Sequence, residues 1–105
     1  MTRIYLKTVS LTGSISSSIG SLTSLNFISL VEKLIVGSIP SSFGNLLSLT
    51  YLNLGTNKLS GSIHSQMGNM KKLVELYMDN NYLTGTALSS LCSLTALTAF
   101  ALHDL

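Results

Sequence analysis

The chain has no tryptophan, one proline (Pro40), one cysteine (Cys92) and few charges, 10% of its 105 residues. Each scarcity excludes something. A single cysteine cannot close a disulfide within the chain, so no disulfide framework holds the fold. Six basic and four acidic residues give a net charge of +2, which is no basic patch for nucleic acid. The most apolar stretch, "LCSLTALTAFAL" from Leu91, is too short and too rich in Ser and Thr to span a membrane. The opening "MTRIYLKTVSL" lacks the apolar core of a secretory signal. No Asn-x-Ser/Thr glycosylation acceptor occurs. No glycine-rich phosphate loop with its Lys-Ser/Thr occurs either; "GTNKLSG" reads as turn chemistry.

What the chain does have is repetition. "GSIPSSFGNL" from Gly37 is followed 24 residues later by "GSIHSQMGNM" from Gly61. Gly13 and Gly85 open two further variants, and a second column runs Gly20, Gly44, Gly68 and then Cys92. Seven of the eight glycines fall in these two columns; only Gly55 lies outside. The apolar residues keep the same period. Two columns read Ile4, Ile28, Leu52, Leu76, Phe100 and Leu6, Leu30, Leu54, Met78, Leu102. Five more run through Leu11, Ile15, Ile19, Leu22 and Leu25, apolar at every turn. A period of this length marks a solenoid, because one repeat buries too little surface to stand alone and stacking makes each column a continuous ridge.

Residue spacing gives the local shape. In "LTYLNL", Leu52 and Leu54 are two apart and share one side of a strand; Tyr51 and Asn53 share the other. Each coil therefore lays one short strand beside its neighbour's. Behind it, Phe43, Leu46 and Leu49 recur every three residues, which predicts a 3₁₀ or short helical turn. Pro40 favours an extended approach to that turn, and the glycine of each "L-x-G" turns the chain at little steric cost.

These residues carry a resemblance. "LTYLNLGTNKLSGSIHSQMGNM" from Leu49 and "LVELYMDNNYLTGTALSSLCSL" from Leu73 resemble the plant-type leucine-rich repeat, and the likeness runs from about Ile4 to Leu102. It implies an α/β solenoid: about five 24-residue coils, a parallel sheet on the concave face and 3₁₀ or irregular segments on the convex face. Residues 1–105 then form one domain without N- or C-terminal caps. The family's asparagine column falls at positions 9, 33, 57, 81 and 105, but only Asn57 and Asn81 carry it; Val9, Lys33 and Leu105 do not. The missing amides are expected to leave buried backbone groups unsatisfied, at about 1–3 kcal/mol each, so the first two coils are suspect.

The resemblance also implies where a partner binds. Exposed strand positions line the concave face, and there the chain places Tyr5, Phe27, Tyr51, Asn53, Glu75, Tyr77 and Asp79. All four acidic residues lie on or beside these strands, with Arg3 and Lys7 at the other end. Tyrosine and phenylalanine suit binding because they offer large area at little rotamer cost; strand preference for aromatics accounts for part of the pattern. Catalysis finds no constellation. Glu75 and Asp79 stand roughly 13 Å apart along an ideal strand, His64 and His103 lie on opposite sides of the coil, and no histidine is placed to activate Cys92.

The expectation is a protein- or peptide-binding module that resembles the ectodomains of receptor-like kinases and receptor-like proteins. It has no enzymatic activity, no cofactor and no metal. Open ends imply a segment of a longer array or self-association through the uncapped coils. As part of a receptor-like protein it would be extracellular or membrane-attached, otherwise cytoplasmic. Three other readings stand beside it. A secreted enzyme inhibitor or defence protein predicts capping cysteine pairs, an ice-binding repeat predicts a flat Thr or Asn array, and a degenerate fragment predicts erosion of the repeat.

Overall fold

The computed structural model describes residues 3–5, 13–30, 34–84, 91 and 93–101. Five strands, β1 (Arg3–Tyr5), β2 (Phe27–Ser29), β4 (Tyr51–Asn53), β6 (Glu75–Tyr77) and β8 (Ala99–Ala101), form one parallel sheet in the order β1-β2-β4-β6-β8. The register follows the sequence period, with Ile28 beside Leu52 and Leu52 beside Leu76. The central residue of β2, β4 and β6 is buried and its two neighbours are half-buried. The 3₁₀ turns fall at Ser17–Ser21, Ser41–Asn45 and Ser65–Asn69. Pro40 enters its turn extended (φ −62°, ψ 138°), and Ser16 and His64 take the same conformation without a ring.

Between sheet and turns lies one core. The residues at 25, 28, 30, 35, 39, 43, 46, 49 and 52, and most of their equivalents 24 residues on, are buried. Leu22 departs from its column at 39% exposure. Leu46, Met70 and Leu94 in the same column are buried. The glycine column 20 and 44 has a packing cause. A methyl on Gly44 would lie 2.6 Å from the Gln66 carbonyl oxygen, and one on Gly20 would lie 2.6 Å from Ser42 Cβ. Consecutive 3₁₀ turns approach too closely for any side chain there.

The sequence reading expected only a turn after each "L-x-G". The structure has a second parallel sheet instead, β3 (Val36–Ser38), β5 (Lys58–Ser62) and β7 (Tyr82–Thr84), in that order. Its register is not the sequence period: Gly37 pairs with Leu59 and Gly61 with Leu83, 22 residues on rather than 24. A two-residue slip keeps every side chain on its own face, but it displaces each coil by about 6.6 Å on this side and by nothing on the other. The stack must therefore twist. Gly37 and Gly61 carry positive φ (84° and 79°), a conformation that glycine adopts at little cost.

Asn57 and Asn81 fasten one coil to the coil before it. The buried Asn57 amide donates to the carbonyls of Leu30 (2.8 Å), Leu54 and Gly55, and its Oδ1 accepts from the Ile35 N–H at 3.0 Å. Asn81 repeats the pattern on Leu54, Met78, Asp79 and the Leu59 N–H. Each amide thus serves its own coil and the preceding one. In the second coil, where Lys33 replaces the asparagine, the Leu30 carbonyl and the Ile35 N–H are bonded by Asn57; the other groups that an asparagine at 33 would serve lie outside the described residues. Val9, Lys33 and Leu105 lie outside the described residues. Thr56 and Asn80, each directly before its asparagine, hold left-handed φ of 56° and 58°, and Leu34, 56% exposed, holds one of 59°.

Two substitutions read these features in urea denaturation. Asn57→Ala is expected to lower the unfolding free energy by about 2–4 kcal/mol, since several buried backbone groups on two coils lose their partner together. Leu34→Asn is expected to raise it by about 1 kcal/mol, because asparagine tolerates the left-handed conformation that leucine resists.

Candidate functional site

Strands β2, β4 and β6 project their half-buried residues from one face in two rows. One row runs Phe27, Tyr51, Glu75 and Ala99; the other runs Ser29, Asn53, Tyr77 and Ala101. Coil spacing brings the rings into contact. Phe27 and Tyr51 stack with centroids 4.4 Å apart and planes 7° from parallel. Tyr51 meets Tyr77 diagonally across the rows at 5.9 Å and 51°. Offset-stacked and tilted ring pairs of this kind add about 0.5–1.5 kcal/mol beyond the area they cover.

Hydrogen bonds fix the groups between the rings. Asn53 Nδ2 donates to the Tyr51 hydroxyl oxygen at 3.2 Å, and Asn53 Oδ1 accepts from the Gly55 N–H at 2.9 Å. The Tyr77 hydroxyl donates to Glu75 Oε1 at 2.9 Å. That bond, helped by partial burial and by the charge of Glu75, raises the Tyr77 pKa above its ordinary value of 10.0. Asp79 follows β6 and accepts at Oδ2 from Asn80 Nδ2 at 3.3 Å.

Of the seven residues that the sequence singled out, six meet here. Phe27, Tyr51, Asn53, Glu75 and Tyr77 make one contiguous patch, and Asp79 closes its edge. Tyr5 is placed by its backbone alone, beside Ser29; its side chain lies outside the described residues, as do Cys92, Lys7 and His103. The sequence reading passed over Gly55 as a site residue. Its missing side chain lets Asn53 and Asp79 lean together: a methyl on Gly55 would lie 3.0 Å from Asp79 Oδ1 and 3.2 Å from Asn53 Oδ1. The signal was available, since Gly55 is the one glycine outside both repeat columns.

Among the described residues no group of three or more His, Cys, Asp or Glu side chains is placed to hold a metal, and no helix is long and apolar enough to cross a membrane. On the second sheet the exposed rows read Val36 beside Lys58, Ser38 beside Ser60 and Ser60 beside Tyr82. Lysine, valine and tyrosine interrupt any flat hydroxyl array there.

The Leucine Rich Repeat family model matches residues 48–70 and 72–94. No curated protein matches the chain. Among solved structures, the chain is similar to the leucine-rich repeat ectodomain of the Arabidopsis thaliana membrane receptor kinase GASSHO1/SCHENGEN3, solved in complex with Casparian strip integrity factor 2. Identity is 44% and the TM-score 0.84, over 87% of this chain and 11% of that one. It is similar to the Arabidopsis receptor kinase HAESA, solved with the peptide hormone IDA and the co-receptor SERK1, at 29% identity and TM-score 0.86, over 91% of this chain and 16% of that one. A plant ice-binding protein gives 27% identity and TM-score 0.88, over 98% of this chain and 34% of that one. The chain thus spans about a tenth to a third of the length of these structures.

Tyr77 gives a direct test of the site's geometry. Its raised pKa is expected to appear as ring ionisation above 10.0 in an NMR titration of the tyrosine Cζ signals. Glu75→Gln is expected to bring it down, since an amide neither repels the phenolate nor accepts as strongly. The linkage has a definite sign: the stabilisation from this shift is complete below the ordinary tyrosine pKa and is lost as pH rises through the folded value. A Tyr77 titration indifferent to Glu75→Gln would show that the two side chains are not bonded in solution.

Proposed function

We propose that this chain, a plant-type leucine-rich repeat protein resembling the ectodomains of leucine-rich repeat receptor kinases, binds a peptide or an extended segment of a protein across its concave sheet. One observation carries the reading: the half-exposed ladder Phe27–Tyr51–Tyr77, its rings stacked at 4.4 Å and then tilted at 5.9 Å along one face of the sheet. Rings in mutual contact are already ordered, so a ligand covers them with little further loss of side-chain entropy. Glu75 and Asn53, each hydrogen-bonded to a ring hydroxyl, supply the polar points that set its register. Likeness to receptors whose ectodomains were solved with a bound peptide hormone supports the same reading. The role is non-enzymatic: the module holds a ligand, and any signal passes through other parts of a larger receptor-like assembly.

The test is selection of a displayed library of random linear peptides on the full chain, followed by NMR mapping of the enriched peptides. Shifts are expected at Phe27, Tyr51, Asn53, Glu75 and Tyr77, and Tyr51→Ala is expected to weaken binding at least tenfold, as loss of a central aromatic anchor does. Failure to enrich any peptide over an unrelated repeat protein, or shifts confined to Ser60 and Tyr82 on the second sheet, would count against the concave face.

A further inference from the structure

We infer, on the peptide-binding reading above, that the concave face holds a slot over Ala99 for an aromatic side chain of the bound segment, with Tyr77 as its wall and Glu75 at its edge.

The slot comes from a step in the rows. Across the strands the first row runs Phe27, Tyr51, Glu75 and Ala99, in register. Three long side chains are followed by a methyl. In the second row Ala101 is the register partner of Tyr77. Strand β8 thus carries alanine at both positions, where β4 and β6 each carry one ring and one polar side chain. Glu75, Tyr77 and Ala99 are each half-buried, so all three keep surface that a ligand can cover.

Tyr77 is held in place as the wall. Its hydroxyl donates to Glu75 Oε1 at 2.9 Å, which lays the ring along β6 toward the first row. On the β4 side it meets Tyr51 at 5.9 Å, tilted by 51°. Strand β8 lies on the other side of β6, and among the described residues no second ring meets Tyr77 there. The aromatic ladder therefore stops one strand short of Ala99. Neighbouring strands stand about 4.8 Å apart, and aromatic centroids attract at roughly 4.5–7 Å. A ligand ring seated over Ala99 thus comes within reach of Tyr77 and continues the ladder by one step.

Glu75 favours an aromatic occupant over an aliphatic one. It is the register partner of Ala99, so its carboxylate borders the slot. An aromatic ring has a positive edge and a negative face. Its edge suits the carboxylate, and a tilted contact suits Tyr77. An aliphatic side chain fills the same space with neither attraction and sets hydrocarbon against a charged group. The row itself accepts rings: Tyr51 and Phe27 hold the equivalent position two and three coils earlier, stacked at 4.4 Å.

The experiment uses the full chain and the peptides it enriches from the random linear library. An aromatic residue is expected at one dominant position. On binding, the Ala99 methyl signal is expected to move upfield by ring current, the signal being assigned by its loss in Ala99→Ser. Replacing the peptide's aromatic residue with cyclohexylalanine keeps the bulk and removes the π-system. The upfield shift is then expected to vanish and binding to weaken about fivefold, as loss of a ring pair does. Ala99→Tyr puts the chain's own ring in the slot, at a position where the second and third coils already carry one. It is expected to weaken binding at least tenfold, as blocking an anchor's pocket does. An Ala99 methyl unmoved by the peptide, or an affinity indifferent to Ala99→Tyr, would overturn the slot and leave peptide binding standing. The methyl shift needs no change to the fold, so it reads the slot even if Ala99→Tyr perturbs the last coil. Absence of any enriched peptide would overturn both.

Discussion

Two buried asparagines hold the coils to one another, and the rest of the face depends on them. Asn57 bonds to Leu30 and Ile35 of the coil before it and to Leu54 and Gly55 of its own. It therefore sets how the chain leaves strand β4 and where Gly55 lies. Asn81 does the same for β6 and the backbone of Asp79. Buried backbone groups at a turn that is neither strand nor helix must find partners, and one amide answers for several of them. The turn is thereby held in one shape, and the side chains of Asn53, Tyr77 and Asp79 inherit fixed directions from it.

From that constraint follows a division of labour between the two sheets. The concave sheet repeats at the sequence period, so equivalent side chains stand directly beside one another and can stack. The second sheet is staggered by two residues per coil. Among its exposed side chains Ser38 meets Ser60, but Val36 meets Lys58 and Ser60 meets Tyr82, so no aromatic ladder forms in the described rows. Only in-register pairing builds a continuous surface from a repeating sequence. The difference explains why the aromatic platform sits on one side of the solenoid, and why an ordered hydroxyl lattice of the kind ice binding requires is missing from the described rows of the other.

The concave face is also polarised by its own bonding. The Tyr77 hydroxyl donates a hydrogen bond to Glu75, which raises its pKa, and Asn53 is oriented by Tyr51 on one side and Gly55 on the other. Each ring hydroxyl is paired with a polar neighbour two residues away on its own strand, an arrangement that strand alternation makes possible. Ring contacts and polar groups are therefore built from the same strand residues.

Much of this was legible in the residues. The period of 24, the seven apolar columns, the 3₁₀ turns and the concave strands all follow from spacing, because a repeated core position must be apolar in every coil and a strand alternates its faces. The aromatic and acidic residues could be assigned to one face for the same reason. Three things were decided only in the folded chain. The second sheet escaped notice because its register of 22 does not coincide with the repeat. The reach of Asn57 across two coils escaped notice because a missing residue is counted in its own coil, while its side chain serves the neighbour. The convergence of Asn53 and Asp79 over Gly55 required the coils to be stacked. Periodicity is a property of the chain and can be read along it; contacts between coils are set by stagger and side-chain reach, which no single repeat contains.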